Sequence, residues 1–347
     1  MKALVYHGPG DLRVERREPP EPAAGEVTVR VAACGVCGTD LRIAAGKHRA
    51  YGDGTCRVPG HEIAGTIAAV GDGAPGAAGD RVFVAPNIGC GRCRQCRDGR
   101  LNLCARPRAL GITHDGAFAE YVRIPADAVA QGNLLAVPAD RDPAELSLVE
   151  PLACVLRGQR PLAISAADVV LIAGAGPIGL MHLAVARVAG PAWIVVSEPS
   201  EERRAQAAAR GADVVVDPAG HDLAAVLAER SENGRGADVV ITAAPSAAAQ
   251  RQAIELAAAG GRINFFGGLP RDASTVELDT NLIHYKELHV TGTTANTTED
   301  CRAALELVVA GRVDTGALVS ERFGLDEAAA AFDAAGSGRA LKVVVEP

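Results

Sequence analysis

The chain has 347 residues, of which 48% are hydrophobic and 22% are charged, and its formal net charge is −7. This length and this share of apolar residues predict two domains, each with a buried core. Because the charge is negative and the basic residues are scattered, there is no electrostatic reason to expect a nucleic acid or an anionic membrane as a partner.

The amino-terminal run Lys2–Tyr6 is too short for a signal peptide, and no stretch of about 18 apolar residues is present that would span a bilayer. The chain contains nine cysteines, several of them clustered. In a reducing compartment, clustered thiols bind metal more often than they form disulfides. We therefore expect a cytoplasmic protein with metal sites.

The first part of the chain, residues 1–152, has the pattern of a β-rich domain. Short runs rich in β-branched residues are separated by Gly and Pro, and they are Glu26–Val31, Ile63–Val70 and Arg81–Val84. Such runs, bounded by turn residues, predict strands joined by long loops.

From Asp168 onward, strand-like runs alternate with alanine-rich helical runs. The predicted strands are 168–173, 193–196, 213–216, 238–241 and 262–266, and the predicted helices are 181–189, 201–210, 223–230 and 248–258. This alternation predicts an α/β domain with a doubly wound, mostly parallel sheet over residues 153–285. The tail, 286–347, shows a strand-like run at 288–292, one helix and a closing strand at 340–345, and we expect it to return to the first domain.

A glycine motif directly follows the first strand of this α/β region and opens a helix. It consists of Gly174, Ala175, Gly176, Pro177, Ile178 and Gly179. In a dinucleotide-binding fold, the first glycine permits a tight turn, the second lets the backbone approach a pyrophosphate, and the third lets helix pack on strand. The alternative is a glycine turn that serves helix packing alone.

Glu198 ends the next strand, where a carboxylate would accept hydrogen bonds from the adenosine ribose and repel a 2′-phosphate. The carboxylate of Glu198 therefore favours NAD over NADP. Arg203 leaves the choice open, since an arginine there can meet a 2′-phosphate or stack on adenine. Pro245 and Ser246, after a later strand, are expected to line the cofactor cleft.

Four cysteines, Cys90, Cys93, Cys96 and Cys104, form a closely spaced set within a lobe of about residues 88–106. Four thiolates at these spacings can surround Zn²⁺ and leave no open position, which predicts a structural zinc site. An iron–sulfur cluster uses similar spacing and remains the alternative.

A second group of possible ligands is less regular in sequence. Cys37 and Thr39 lie in one segment, His61 and Glu62 in another, and Glu150 precedes Pro151 just before the α/β region. Each residue alone has a plain structural explanation as a packed residue. Next to a dinucleotide fold, however, the set suits removal of a hydride from an alcohol, which needs a Lewis acid.

Several segments together resemble the zinc-containing medium-chain alcohol dehydrogenase family. They are Cys34–Asp40, Pro59–Gly65, the four-cysteine lobe, Asp115–Tyr121, Glu150–Leu152 and the glycine motif. Within this family the sequence is similar to the polyol branch, which includes sorbitol (L-iditol) dehydrogenases and is related to threonine dehydrogenase. The resemblance covers essentially the whole chain.

The resemblance implies a GroES-like β-barrel domain beside the doubly wound domain, two zinc ions per chain, and a homodimer or homotetramer. It implies that Cys37, His61 and Glu62 are ligands of a catalytic zinc, and that Glu150 binds this zinc directly or through water. It also implies a secondary alcohol of a polyol, sugar alcohol or cyclitol as substrate, with NAD as hydride acceptor.

Three positions depart from the better known members of the family. Glu150 stands where liver-type alcohol dehydrogenases have a second cysteine ligand, and Arg42 stands where they have a relay histidine. Ala295 stands where mammalian sorbitol enzymes have a substrate-binding arginine. Thr39 can accept the proton of the alcohol, and Asp40 is expected to orient His61 by accepting its free N–H, or else to cap a turn.

Other functions remain open at the level of sequence. Arg42, Lys47 and Arg49 can bind a carboxylate, as a threonine-type amino alcohol substrate would require. A non-catalytic, zinc-stabilised nucleotide-binding protein is the remote alternative. Cysteines without paired spacing are expected to be small buried apolar residues, and these are Cys34, Cys56, Cys154 and Cys301.

Overall fold

The computed structural model describes residues 1–347. It contains two compact units, one formed by Met1–Ala153 with Ala295–Pro347 and the other by Cys154–Thr294. None of its helices has the length and apolar character needed to cross a membrane.

The amino-terminal segment holds nine strands and five helices. The strands are β1 (Lys2–Gly8), β2 (Asp11–Arg16), β3 (Val27–Gly35), β4 (Glu62–Val70), β5 (Arg81–Val84), β6 (Asn87–Ile88), β7 (Arg108–Ala109), β8 (Tyr121–Ile124) and β9 (Leu134–Ala136). The helices are α1 (Gly38–Ala44), α2 (Arg94–Arg97), α3 (Ala126–Ala130), α4 (Pro143–Ser147) and α5 (Val149–Gln159).

The second unit alternates strands and helices along the chain. Its strands are β10 (Val169–Ala173), β11 (Trp193–Ser197), β12 (Val214–Val216), β13 (Ala237–Thr242), β14 (Ala257–Phe265) and β15 (His289–Gly292). Its helices are α6 (Pro177–Ala189), α7 (Glu201–Ala209), α8 (Leu223–Ala228), α9 (Ala247–Leu256) and α10 (Thr280–Tyr285). The chain then continues into α11 (Thr298–Val309), β16 (Val319–Gly324), α12 (Ala328–Gly336) and β17 (Lys342–Glu346).

Seven strands form the main sheet of the first unit. Six follow the order β16-β17-β3-β4-β5-β9, and β8 also pairs with β3. The pairings around β3 and β4 are antiparallel, whereas β16 and β17 are parallel. Residues such as Val29, Ile63 and Phe118 from these strands and loops are fully buried in its core. The β-rich character predicted for this part of the chain is confirmed.

The second unit is a six-stranded parallel sheet with the order β12-β11-β10-β13-β14-β15. The order reverses at β10, so the carboxyl ends of β10 and β13 border the crevice where doubly wound sheets bind ligands. The central strands are buried on both faces, which explains their continuous runs of Val and Ile. The doubly wound parallel fold predicted for this region is confirmed.

Two expectations for the tail were wrong. The boundary predicted after Tyr285 lies too early, because β15 pairs in parallel with β14 and so extends the six-stranded sheet. The return to the first unit begins at Ala295. The tail also contains two α-helices, α11 and α12, where one was expected, since the alanine-rich run before β17 forms a helix of its own.

Candidate zinc centres and dinucleotide site

The four predicted cysteines lie in the chain segment that connects β6 to β7, and their side chains come together. The sulfur atoms of Cys90, Cys93, Cys96 and Cys104 all lie within 4.8 Å of one another. The sulfur of Cys93 is 3.5 Å from that of Cys96 and 3.9 Å from that of Cys104. Sulfurs placed tetrahedrally at about 2.3 Å from zinc are about 3.8 Å apart, so the four residues fit this ion.

Backbone N–H groups also point at these sulfurs. Cys93 donates to the sulfur of Cys90 at 3.4 Å, and Cys90 and Arg106 donate to that of Cys104 at 3.2 and 3.3 Å. Hydrogen bonds from the backbone of Arg92 and of Cys93 lower the pKa of Cys90 to about 6. Burial raises the pKa of Cys96 to about 12, and a bound cation would offset this rise by favouring the thiolate.

Three predicted ligands of the second site also come together. The sulfur of Cys37, a ring nitrogen of His61 and a carboxylate oxygen of Glu62 lie within 4.8 Å of one another. Cys37 precedes α1, and His61 and Glu62 stand at the start of β4, where β3 and β4 are paired. A thiolate, an imidazole and a carboxylate are the ligand types that zinc binds in catalytic sites. We call these three residues the Cys37 group.

Asp40 is fully buried beside this group. One of its oxygens accepts the backbone N–H of Cys37 at 2.9 Å, so the residue caps the start of α1. Its other oxygen lies 3.6 Å from Nδ1 of His61, and neither of these two atoms has a hydrogen-bond partner. The expected hydrogen bond from His61 to Asp40 is therefore not formed, because 3.6 Å exceeds hydrogen-bond length. Nδ1 of His61 nevertheless faces the negative charge of the Asp40 carboxylate.

Burial alone would lower the pKa of His61, but the negative charges of Asp40 and Cys37 outweigh it and raise this pKa well above its usual value. A metal ligand must be deprotonated, so a cation binding here displaces a proton. The imidazole nitrogen that does not face Asp40 is the one left for a metal.

Glu62 is paired with a lysine that no sequence motif indicated. Nζ of Lys342, on β17, donates to both carboxylate oxygens of Glu62 at 2.6 and 2.7 Å and to the carbonyl of Val36 at 3.1 Å. The carboxylate also fills the space over Gly35, where a Cβ would lie 1.9 Å from its Oε2. Each carboxylate oxygen retains a further lone pair, so the pair with Lys342 and a metal bond are compatible.

Burial opposes the charge on Lys342, but Glu62 and Cys37 outweigh it and raise the pKa of the ammonium group. Lys342 thus brings a fixed positive charge to the base of the Cys37 group. Lysines are rarely buried without a partner of opposite charge. The presence of Lys342 in the apolar run of β17 therefore could have indicated a buried acidic partner.

Glu150 is not a member of the Cys37 group. It is buried at the start of α5, and Nδ2 of Asn296 donates to its Oε1 at 2.6 Å and to its backbone carbonyl at 3.1 Å. Asn296 in turn accepts from Nδ2 of Asn87 at 2.8 Å. Burial raises the pKa of Glu150. Asn296 is a further site residue that the sequence did not reveal. It follows Ala295, the position where mammalian sorbitol enzymes have a substrate-binding arginine.

Thr39 lies on α1 beside Cys37, and Nη2 of Arg42 donates to its hydroxyl oxygen at 3.0 Å. One helical turn separates the two residues, which explains the contact. The arginine at the relay position therefore interacts with the hydroxyl group that was expected to receive the proton of an alcohol.

In the second unit, the glycine motif connects β10 to α6. Gly174 has a φ of +108°, a conformation that favours glycine. A Cβ on Gly179 would lie 2.0 Å from the carbonyl oxygen of Gly174, whereas one on Gly176 would meet nothing within 4 Å. The first and third glycines are thus required by the turn itself, and the second leaves open space at the helix N-terminus, next to Pro177 and Ile178. Such space suits a phosphate.

Glu198 follows β11 and is buried. Its Oε2 accepts the backbone N–H of Ala175 at 2.8 Å, and its Oε1 accepts that of Ser200 at 3.0 Å. A cavity of about 520 Å³ opens beside it, lined among others by Gly174, Glu198, Arg203 and Ser246. The predicted glutamate, arginine and serine therefore border one cavity with the glycine motif, which has the position and residue types of a dinucleotide site.

Comparison with known proteins agrees with this geometry. Residues 23–134 match the family model for the alcohol dehydrogenase GroES-like domain, and residues 177–310 match the model for zinc-binding dehydrogenases. L-threonine 3-dehydrogenase of Pyrococcus furiosus is 34% identical over 336 residues, which cover 94% of this chain and 92% of that protein. Sorbitol dehydrogenase of Halalkalibacterium halodurans is 32% identical over 352 residues, covering 100% and 99%.

Among solved structures, a protein from Sinorhizobium meliloti 1021 described as a zinc-binding dehydrogenase and bound to NADP is 35% identical, with a TM-score of 0.91 over 100% of this chain and 99% of that one. The chain belongs to the zinc-binding alcohol dehydrogenase family. It is a zinc-dependent oxidoreductase of alcohols or polyols with a nicotinamide cofactor, and the predicted GroES-like domain is confirmed.

Proposed function

We propose that this enzyme oxidises a secondary alcohol of a polyol, sugar alcohol or cyclitol to a ketone and transfers the hydride to NAD. The observation that carries the proposal is the grouping of Cys37, His61 and Glu62 within 4.8 Å, beside the hydroxyl-bearing segment of α1, in a member of this family. The polyol-type relatives support this substrate class.

The catalytic zinc would be held by Cys37, His61 and a carboxylate of Glu62 or Glu150, and the structural zinc by Cys90, Cys93, Cys96 and Cys104. When bound at the first site, zinc supplies a Lewis acid that makes the hydroxyl group of an alcohol easier to deprotonate. The four-cysteine site leaves no position for a substrate, so its role is structural.

Thr39 is the proton acceptor in this proposal. A hydroxyl group has one donor and two acceptor sites, and Arg42 occupies one acceptor site of Thr39. The second acceptor site remains for the alcohol, and the threonine O–H passes its own proton to solvent. The positive charge of Arg42 favours release of the threonine proton ahead of uptake of the proton of the alcohol.

Asp40 and Lys342 are positioning residues. Asp40 fixes the start of α1 through the N–H of Cys37 and faces the ring of His61, while Lys342 fixes the carboxylate of Glu62. Together they hold three candidate ligands of different types in one place and balance their charges.

For the cofactor, we propose that the pyrophosphate lies at Gly176 and the N-terminus of α6, and that Glu198 accepts hydrogen bonds from the adenosine ribose. The carboxylate supports NAD because it repels a 2′-phosphate. Arg203 borders the same cavity and can stack on adenine or meet a phosphate, and one relative is bound to NADP. Because the carboxylate of Glu198 would repel a 2′-phosphate, we assign the preference for NAD over NADP to this residue.

A threonine-type amino alcohol is the second candidate substrate. Burial and then the charges of Arg42, on α1, and of Arg49 lower the pKa of His48, so both cations act on the surroundings of this histidine. They can bind a substrate carboxylate, and the threonine dehydrogenase relative supports this alternative.

We further propose a homodimer or homotetramer in the cytoplasm. Strand β15 is an edge of the six-stranded sheet and exposes Val290, and an unpaired edge strand is a ready surface for pairing with a second copy. Light scattering of the purified protein tests the oligomer. A reducing compartment suits a chain whose thiols serve as zinc ligands.

The substrate is tested by a screen of sugar alcohols, cyclitols and hydroxy amino acids with NAD and NADP, followed by the absorbance of the reduced nicotinamide. The proposal expects turnover of a neutral polyol with NAD. Turnover of threonine alone would replace the polyol with the second candidate, and no turnover of any secondary alcohol by zinc-loaded protein would contradict both.

A further inference from the structure

Four polar side chains meet on the surface of the first unit, apart from the residues assigned above. They are His7 of β1, Glu15 of β2, Arg17 just after β2, and Cys56 in the loop before β4, and we call them the Cys56 cluster. Cys56 is exposed, contrary to the expectation of a buried apolar residue.

The backbone explains why these residues meet. Tyr6 and Arg57 form an antiparallel bridge, with the N–H of Tyr6 bonded to the carbonyl of Arg57 at 2.9 Å. The next pair in this register is His7 and Cys56, which therefore stand opposite each other. Glu15 lies opposite Ala3 on β2 and Arg17 follows that strand, so these two residues reach His7 and Cys56 through their long side chains.

The side-chain contacts arrange a nucleophile, a base and an orienting acid. Nδ1 of His7 is 3.9 Å from the sulfur of Cys56, and its Nε2 is 3.2 Å from Oε2 of Glu15. When Nε2 carries the ring proton and donates it to Glu15, Nδ1 presents its lone pair to the sulfur. A neutral histidine in this tautomer can take the proton of the thiol.

Arg17 adds a positive charge on the sulfur itself. Its Nη2 donates to the sulfur of Cys56 at 3.0 Å, and its Nε donates to Oε1 of Glu15 at 3.0 Å. Glu15 thus fixes both the imidazole and the guanidinium. The guanidinium therefore lies where negative charge gathers when the sulfur acts as a nucleophile.

The cluster does not have the geometry of a metal site. Glu15 and Cys56 face opposite nitrogens of the same imidazole ring, so the three groups do not converge on one point, unlike the Cys37 group. Cys56 is exposed and so can meet a reagent from solution, and no residue of this cluster belongs to the proposed reaction.

We propose that Cys56 is a reactive thiol and a modification site that takes low-molecular-weight disulfides such as glutathione disulfide. The proton of Cys56 passes to Nδ1 of His7, and the thiolate attacks one sulfur of the disulfide. A new S–S bond forms to Cys56 as the old one breaks, and the other half leaves as a thiolate that takes up the proton. Cys56 is oxidised to a mixed disulfide, and the departing half is reduced.

The test uses the zinc-loaded full chain and two chromogenic disulfides, the anionic dithionitrobenzoate reagent and the neutral dithiodipyridine. We expect one fast-reacting thiol per chain, absent from Cys56→Ser. Arg17→Gln and His7→Gln should each slow this phase by roughly two- to fivefold with the neutral reagent. Arg16→Gln, which changes the same charge at an exposed neighbour, should leave the rate unchanged.

A fast phase that survives in Cys56→Ser, or rates that Arg17→Gln and His7→Gln leave unchanged, would overturn the proposal. Slowing by Arg17→Gln with the anionic reagent alone would also overturn it, since the arginine would then attract the reagent without activating the sulfur. Incubation with glutathione disulfide should give a mixed disulfide at Cys56, seen by mass spectrometry and reversed by a thiol reductant. Absence of this adduct counts against the modification itself. Thermal unfolding verifies that each variant is folded.

Discussion

The carboxylate of Glu198 accepts the backbone N–H of Ala175 at 2.8 Å, and through this bond the end of β11 is tied to the middle of the glycine motif. The residue that we assign to ribose recognition therefore also holds the loop assigned to the pyrophosphate. A change at Glu198 affects cofactor choice and loop position together, and a variant that preserves the shape of the side chain is needed to separate the two effects.

Glu198→Gln keeps the size of the side chain and removes its charge. Its amide oxygen can still accept the N–H of Ala175, whereas the N–H of Ser200 loses its acceptor. We expect NAD to bind roughly ten- to a hundredfold more weakly, because a charge-assisted hydrogen bond of about 1.5–3 kcal/mol is lost. NADP should improve in absolute terms, since the repulsion of its 2′-phosphate is relieved while Arg203 remains. The measurement is kcat/KM for both cofactors at one ionic strength, in the parent and the variant.

Glu198→Ala should reproduce this shift in preference and in addition lower the affinity for both cofactors, because it releases the N–H of Ala175. Arg203→Gln in the Glu198→Gln background should remove the gain with NADP. A parent that already prefers NADP, or a preference that neither Glu198 variant moves, would show that this carboxylate is not at the ribose.

Alanine at two glycines should have separable effects. A Cβ on Gly179 would lie 2.0 Å from the carbonyl oxygen of Gly174, so Gly179→Ala should lower thermal stability and cofactor binding together. A Cβ on Gly176 meets nothing within 4 Å, so Gly176→Ala should leave stability nearly unchanged and weaken NAD binding, because the methyl group enters the space assigned to the pyrophosphate. Equal NAD affinity in the parent and Gly176→Ala would contradict that assignment.

The two zinc sites should differ in what their loss causes. Metal analysis of protein purified without chelator should give about two zinc ions per chain, one for each group of ligands. Cys96→Ser should lose one ion and lower the melting temperature, because binding by a closed four-thiolate site contributes to the folding of its lobe. His61→Ala should lose the other ion and the activity, with a smaller change in melting temperature.

Cys37→Ala serves as a second test of the Cys37 group and should match His61→Ala in zinc content. A parent with a single zinc ion would contradict the catalytic site. So would activity retained in His61→Ala alongside a stability loss equal to that of Cys96→Ser.

The buried pair of Lys342 and Glu62 gives a stability prediction. Lys342→Met removes the positive charge and leaves the carboxylate of Glu62 buried beside the thiolate of Cys37, which should cost about 3–5 kcal/mol of unfolding free energy. Adding Glu62→Gln should restore part of this loss, and the coupling between the two changes measures the pair. Urea unfolding at a fixed concentration of free zinc is the experiment. Additive effects would mean that the two side chains do not interact.

Sites whose residues lie close together in the chain were predicted from the sequence. The four cysteines lie within one loop, and the glycine motif joins one strand to one helix, so their local order already restricts their geometry. Lys342 and Asn296 were missed because their partners, Glu62 and Glu150, are distant in the chain and meet them only through strand pairing and helix packing. The boundary near Tyr285 was misplaced for the same reason, since only pairing with β14 assigns β15 to its sheet.

The position of Lys342 on the last strand also sets an order of events during synthesis. The ligands within Cys90–Cys104 are adjacent in the chain, so the lobe can gather its four sulfurs while the ribosome is still translating the second unit. Glu62 is made early as well, but its lysine partner emerges only with β17. A nascent chain can therefore acquire its structural metal before the Cys37 group has its final charge balance, because that balance requires β17.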